Sequence, residues 1–138
     1  MQFQTLAPLL FATASVFSQS AKAQDTSCPP IGWFSMAYYA NIHNATYDST
    51  FDMDFYSQQQ MPWVYSLYKP YGMKGYTINT LESDAPWSVV TFFYFDTAEQ
   101  FDAALAAHED EILARVPLFS SEYPSRYVGD VVSTTFSA

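Results

Sequence analysis

The sequence contains few of the residues from which several common functional sites are built. Among its 138 residues there are a single cysteine, four glycines and five lysine or arginine residues. One cysteine cannot close an intrachain disulfide. The sequence also has no phosphate-binding loop, dinucleotide fingerprint or Gly-x-Ser-x-Gly motif. We therefore expect neither nucleotide-dependent chemistry nor covalent hydrolysis.

Positive charge is scarce as well. Fourteen aspartate and glutamate residues against five cations give a formal net charge of −9, which would repel nucleic-acid phosphates and anionic lipid head groups. No run approaches the ~20 apolar residues that span a bilayer. Nucleic acid is therefore not an expected partner, and neither is a membrane once the export signal described next has been removed.

Residues 1–23 are typical of an export signal. Leu6 to Val16 form a short apolar stretch, and Ala21-Lys22-Ala23 follow the small-x-small pattern that precedes cleavage. The stretch Met1 to Gln4, in contrast, contains no lysine or arginine. We expect cleavage before Gln24 and a secreted protein, extracellular or periplasmic. The alternative is an uncleaved hydrophobic helix.

The secreted form would consist of a flexible leader, residues 24–31, and one domain, residues 32–138. Cys28 lies in the leader next to prolines and is either an unpaired surface thiol or a link between two chains. Asn44 begins an Asn-x-Thr sequon, which would be glycosylated only in a eukaryotic host.

The stretch from Trp87 to Asp96 predicts a strand at the centre of the fold. One face would carry Val89, Thr91, Phe93 and Phe95, and the other Val90, Phe92 and Tyr94. Because both faces are largely apolar, the strand is expected to be covered on both sides. Trp33 to Ala40 has the same character and predicts a second buried strand.

Two helices and two further strands complete the pattern. Helical spacing extends over Phe51 to Tyr68, and the mixed polarity of Met73 to Leu81 indicates an edge strand. A capping box at Thr97 to Gln100 begins a second helix that ends before Pro117. Arg126 to Phe136 predict the last strand.

The resulting order, βαββαβ, predicts a ferredoxin-like α+β fold. Its antiparallel four-stranded sheet would carry both helices on one face, with the first and third strands in the middle. The second face of the sheet would remain exposed unless two subunits pack together. We therefore expect a homodimer in the form of a dimeric α+β barrel.

Several motifs, in their order and spacing, resemble the EthD family of dimeric α+β-barrel proteins. These motifs are Phe51-x-x-x-Phe55-Tyr56, Gln60-x-Pro62, Pro70-Tyr71-Gly72, Phe95-x-Thr97-x-Glu99-x-Phe101, Phe119-Ser120 and Tyr127-Val128-Gly129-Asp130. The similarity spans about Trp33 to Thr135. It implies a small dimer that holds an apolar, often aromatic or polyketide-like molecule in its barrel or helix–sheet cleft. It also implies a link to oxidative degradation, or to cofactor-independent dehydration or oxygenation.

Position 60 departs from that resemblance. The family commonly has His-x-Pro where this chain has Gln60-Met61-Pro62. Glutamine forms hydrogen bonds but cannot exchange a proton near neutral pH. Because Pro62 lacks an N–H and frees the carbonyl of Gln58, Gln60 either satisfies that local defect or binds a polar group of a ligand.

His108 is the other candidate for chemistry, because it falls on the predicted buried stripe of the second helix. It could act as a base or a metal ligand, or it could be a hydrogen-bonded core or interface residue. No second histidine or cysteine lies at ligand spacing, so a zinc site has little support. Related barrels that degrade haem use an axial histidine on a helix, which keeps haem as a minor alternative, although few cations are left to bind its propionates. We expect neither a metal nor a cofactor. If the protein is an enzyme, His108 would be the base and Tyr56 a possible acid.

The sequence leaves three functions open. The first is a protein that binds a small apolar or aromatic molecule and converts it without a cofactor, as an oxidoreductase, oxygenase or dehydratase. Tyr56, Gln60 and His108 would be its polar groups, and the pocket would be walled by Tyr38, Trp63 and Phe93. The second is a secreted carrier without activity, which the glutamine at position 60 favours. The third is a structural interaction domain.

Overall fold

The computed structural model describes residues 32–40 and 48–133. The elements in chain order are β1 (Trp33–Ala40), a first helix over residues 53–68, β2 (Gly75–Thr80), β3 (Trp87–Phe95), a second helix (Ala98–Ala114) and β4 (Ser125–Asp130). This order confirms the ferredoxin-like βαββαβ fold. The predicted signal and leader, Cys28, Asn44 and the end of the predicted last strand lie outside the described residues.

The four strands form one antiparallel sheet in the order β2-β3-β1-β4. The two strands predicted to be central, β1 and β3, are central, and β2 is an edge strand as predicted. The predicted extent of the last strand is wrong, because β4 ends at Asp130. Asp130 pairs with Trp33, the first residue of β1, so the neighbouring strand offers no further partner beyond that point.

The predicted two-sided character of β3 is confirmed. Val89, Thr91 and Phe95 are fully buried towards the helices, and Val90 is buried on the opposite face. The register between β1 and β3 shifts after Tyr39, which pairs with Val89. The face of the sheet that carries Val90 is covered by none of the described helices and is called the open face below.

The first helix contains a wide turn in its middle. Asp52 caps its start by accepting a hydrogen bond from the N–H of Phe55 at 2.9 Å. The α-helical segments Met53–Phe55 and Met61–Tyr68 are joined by a π-helical turn over Tyr56–Gln60. The irregularity expected at Pro62 therefore takes this form. The backbone hydrogen bonds of a π turn join residues five apart instead of four, and here the turn buries both Tyr56 and Gln60.

The second helix begins at the predicted capping box. Thr97 accepts a hydrogen bond from the backbone of Gln100, and the Gln100 side chain accepts one from the backbone of Thr97, each at 3.4 Å. Phe101 and Ala104 are buried beneath this helix, with 2% and 0% of their surfaces exposed. The helix is thereby fixed across the sheet next to the first helix.

The core between the helices and the sheet is mainly aromatic. Tyr56 packs against Tyr39, Phe51 and Phe119 with ring centroids 4.9 to 5.7 Å apart. Tyr68 packs similarly on Phe95 at the other end of the core. None of the helices in the described ranges is long and apolar enough to cross a membrane.

Candidate functional site

A cavity of about 440 Å³ lies between the two helices and the helix-facing side of the sheet. Apolar side chains form most of its wall, among them Ala37, Met61, Val64, Phe93, Leu105 and Ile112. Cavities of roughly 300 to 1,000 Å³ with apolar walls are typical of sites for small organic molecules. The cavity can therefore accept a ligand with one or more rings.

Gln60, at the end of the π turn, lines this cavity and is only 1% exposed. Its side-chain oxygen accepts a hydrogen bond from Nε of Arg115 at 2.9 Å. The guanidinium of Arg115 lies 4.3 Å from the centre of the Trp63 ring. Of the two roles predicted for Gln60, repair of the backbone near Pro62 is not seen among the described contacts.

Tyr56 lies on the same wall and is 2% exposed. Its hydroxyl shares a hydrogen bond of 2.8 Å with the hydroxyl of Thr91. Burial raises the pKa of Tyr56 from 10.0 to about 12, and burial together with the nearby Tyr56 hydroxyl raises the pKa of Tyr39 well above 10.0. Both phenols therefore stay protonated near neutral pH and cannot act as bases there.

Tyr68, the last residue of the first helix, also lines the cavity and is 2% exposed. Burial raises its pKa from 10.0 to about 12. Every fully buried side-chain nitrogen or oxygen in the described part of the chain has a hydrogen-bond partner. The Tyr68 hydroxyl and the amide nitrogen of Gln60 make no hydrogen bond to the described residues. These two polar groups are therefore accessible from the cavity.

An ion pair forms another part of the wall. Glu109 and Arg126 both line the cavity, with Oε1 and Nη1 3.0 Å apart. Glu109 thus borders the cavity while 38% of its side chain remains exposed to solvent. The neighbouring Glu111 contacts His108 and, among the described ion pairs, does not pair with Arg115.

His108 does not line the cavity. Its Nδ1 lies 2.5 Å from Oε1 of Glu111, and its ring packs 5.5 Å from that of Tyr71. The imidazole is partly buried, with 22% of the side chain exposed. Within the described ranges, no three His, Cys, Asp or Glu side chains are grouped so that they could hold a metal ion.

Of the three residues predicted to wall the pocket, only one lines the cavity. Phe93 lines the cavity, whereas Trp63 supports Arg115 from outside it. Tyr38 lies on the open face, where it contacts Trp87 and Tyr127. Strand alternation explains this position, because its neighbours in β1 face the helices. The structure thus brings together Tyr56, Gln60 and Phe93, and separates them from Tyr38, Trp63 and His108.

Two features of the cavity were not predicted from the sequence. Tyr68 follows Gln60 and Val64 at helical spacings of four, so the stripe that indicated Gln60 could also have indicated Tyr68. The contact between Arg115 and Gln60 joins residues 55 positions apart. No local pattern in the sequence signals that contact.

Comparison with known proteins gives structural matches only. No protein-family model matches the sequence, and no curated protein matches it. An EthD-like protein from Ralstonia eutropha is 25% identical, with a TM-score of 0.63 over 76% of this chain and 96% of that chain.

Two further solved structures are more distant. A dimeric ferredoxin-like protein from an uncultured marine organism is 12% identical, with a TM-score of 0.49 over 78% of this chain and 94% of that one. A protein from Nitrosomonas europaea described as an antibiotic biosynthesis monooxygenase is 14% identical, with a TM-score of 0.48 over 77% and 96%. The resemblance predicted from the sequence is confirmed by the first of the three matches: this chain has the ferredoxin-like fold of an EthD-like protein.

Proposed function

We propose that this protein binds a small, mainly apolar molecule carrying hydrogen-bonding oxygen atoms in the cavity between its helices and its sheet. One observation carries this proposal. The apolar walls enclose about 440 Å³ and include two nearly buried polar groups, the amide of Gln60 and the hydroxyl of Tyr68, that have hydrogen-bonding capacity left over. Buried polar groups are normally satisfied, so a ligand that supplies their partners would be favoured.

The geometry favours binding over conversion. Among the described residues no histidine lines the cavity, and Glu109 is the one carboxylate that does. Glu109 is held by Arg126 at 3.0 Å, and the buried tyrosines stay protonated near neutral pH. Among the described residues that line the cavity, the only carboxylate available for cofactor-independent proton abstraction is therefore already engaged by Arg126. A carrier or scavenger is therefore the function we favour over an oxygenase or dehydratase.

We further propose that this binding takes place outside the cell. The support is the export signal predicted over residues 1–23. The proposed binding requires no nucleotide, which is compatible with a site outside the cell.

Native mass spectrometry of the protein purified from its own host tests both proposals. We expect a subunit that begins at Gln24 and carries a non-covalent adduct of small-molecule mass. Denaturing the same sample should remove the adduct and leave the bare polypeptide, which serves as the control. A subunit that retains residues 1–23 would contradict export. If the bare protein also failed to bind any member of an aromatic compound library, the binding proposal would be wrong.

We also propose that two copies associate through the open face of the sheet. Six aromatic rings lie on that face: Phe34, Tyr38, Trp87, Phe92, Tyr94 and Tyr127. Gly129 faces the ring of Phe34 so closely that a Cβ atom there would lie 3.1 Å from it. A continuous aromatic surface of this kind is typical of a protein interface.

Replacing Phe92 by aspartate is expected to dissociate the dimer. Phe92 packs on Phe34 and Tyr94 in the middle of the open face, and a buried charge without a partner costs several kcal/mol. Light scattering after size exclusion should give a dimer for the wild-type protein and a monomer for Phe92→Asp. The control is Leu118→Asp, because Leu118 is 59% exposed and lies away from the sheet. A monomeric wild-type protein would contradict the proposal.

A further inference from the structure

We infer that Arg115 fixes the amide of Gln60 in one orientation and so makes Gln60 a hydrogen-bond donor towards the cavity. A bound ligand would then have to present an acceptor oxygen at that position, and a ligand with a donor there would be disfavoured. Arg115 is a positioning residue in this account, since it touches Gln60 and not the cavity. The inference rests on the proposed function and specifies the class of ligand.

The first support is the chemistry of the contact between the two side chains. Nε of Arg115 donates to Oε1 of Gln60 at 2.9 Å. Arginine has five N–H donors and no acceptor, whereas a glutamine amide has one oxygen and one NH₂ group. Rotating the amide by half a turn would place its NH₂ group against the N–H of Arg115. At a site where Gln60 is only 1% exposed, two facing donors would be strongly disfavoured.

The second support is the way in which Arg115 itself is held. Its guanidinium lies 4.3 Å from the centre of the Trp63 ring and 6.0 Å from that of Phe55. Among the described residues it forms no ion pair with a carboxylate, although the chain has 14 of them. Aromatic rings and Gln60 therefore determine its position, which leaves its hydrogen bond to Gln60 without a competing acceptor.

The third support is the free side of the amide. The NH₂ group of Gln60 makes no hydrogen bond to the described protein, and the residue lines the cavity. Tyr68, two helical turns further on, has a hydroxyl that can donate or accept. Tyr68 therefore cannot discriminate between donor and acceptor ligands, whereas an oriented Gln60 can.

Two probes of the same shape separate the acceptor requirement from simple burial. Methyl naphthyl ketone carries a carbonyl oxygen where isopropenylnaphthalene carries a CH₂ group, and both fit within about 440 Å³. The quantity to measure is the ratio of their dissociation constants by calorimetry, compared between variants. General loosening of the cavity would weaken the binding of both probes alike and leave this ratio unchanged.

Gln60→Glu is expected to lower the preference for the ketone about tenfold relative to the wild-type protein. The carboxylate keeps the contact with Arg115 but offers only acceptors to the ligand. Arg115→Met should lower the preference about threefold, because Gln60 is retained and only its orientation is released. Arg115→Lys retains a donor to Gln60 and should keep most of the wild-type preference for the ketone.

Lys69→Met is the matched control, because Lys69 is an exposed cation near the end of the first helix that does not line the cavity. It should leave the ratio unchanged. If both probes bind and the ratio is the same in all variants, the role of Arg115 and Gln60 is overturned while the proposed function stands. If neither probe binds the wild-type protein, the proposed function and this inference both fail.

Discussion

Between pH 10 and pH 12 the protein is expected to lose several kcal/mol of stability and to unfold. Burial raises the pKa of Tyr56 and of Tyr68 from 10.0 to about 12, and the pKa of Tyr39 also lies well above 10.0. In this interval the unfolded chain releases phenolic protons that the folded chain keeps. The stability from these buried phenols is therefore complete below pH 10 and is lost as the pH rises to 12.

The size of this effect is large compared with the stability of a small domain. A pKa raised from 10.0 to about 12 corresponds to about 3 kcal/mol for one tyrosine. Small domains have a free energy of unfolding of only ~5 to 15 kcal/mol. Two or three buried phenols can therefore remove most of it. Urea titrations followed by circular dichroism at successive pH values measure the loss.

Two tyrosine variants make this test specific. The free energy of unfolding of Tyr56→Phe should fall less steeply with rising pH. At neutral pH the substitution should cost about 1 kcal/mol of stability, because the hydroxyl of Thr91 loses its partner. Tyr123→Phe is the control and should keep the wild-type pH dependence, since Tyr123 is 62% exposed and lies outside the open face. If Tyr56→Phe showed the wild-type slope, the phenol of Tyr56 would not be the group responsible.

Replacing Leu105 by tryptophan is expected to abolish binding in the cavity while the fold is retained. Leu105 lines the cavity from the second helix and is only partly buried, so a larger side chain can enter the empty space. An excluded naphthyl ring would forgo burial of about 150 Å² of apolar surface at about 25 cal/mol per Å². This amounts to about 4 kcal/mol, or a loss of affinity of more than a hundredfold.

The comparison variant is Ala106→Trp, at the adjacent, exposed position of the same helix. It adds the same side chain outside the cavity and should leave the affinity for methyl naphthyl ketone unchanged. Circular dichroism should show that both variants are folded. Full affinity in Leu105→Trp would place the binding site elsewhere on the protein.

The fold could be predicted because its main signals are local. The continuous apolar run of β3 and the capping box at Thr97 each depend on a few adjacent residues, and both are confirmed. The end of β4 could not be predicted from its own apolar residues. It depends on where the neighbouring strand β1 begins, and Asp130 already pairs with Trp33.

The site was predicted less completely than the fold for the same reason. Gln60 was identified because a polar residue interrupts an apolar helical stripe. The spacing of Glu111 and Arg115 in the sequence would favour an ion pair within the second helix. In the structure Arg115 contacts Gln60 instead. Such a pairing depends on how the two helices lie across the sheet, and no pattern within either helix contains that information.

The cavity and the open face lie on opposite sides of the sheet, and this separation should make ligand binding independent of the protein concentration. Helix-facing residues such as Ala37 and Phe93 border the cavity, whereas Phe92 lies on the other surface. Subunit association would therefore neither complete the site nor obstruct it. Ligand exchange should follow the same kinetics in a dilute monomer as in a concentrated dimer, so that a single copy would keep its affinity at any dilution.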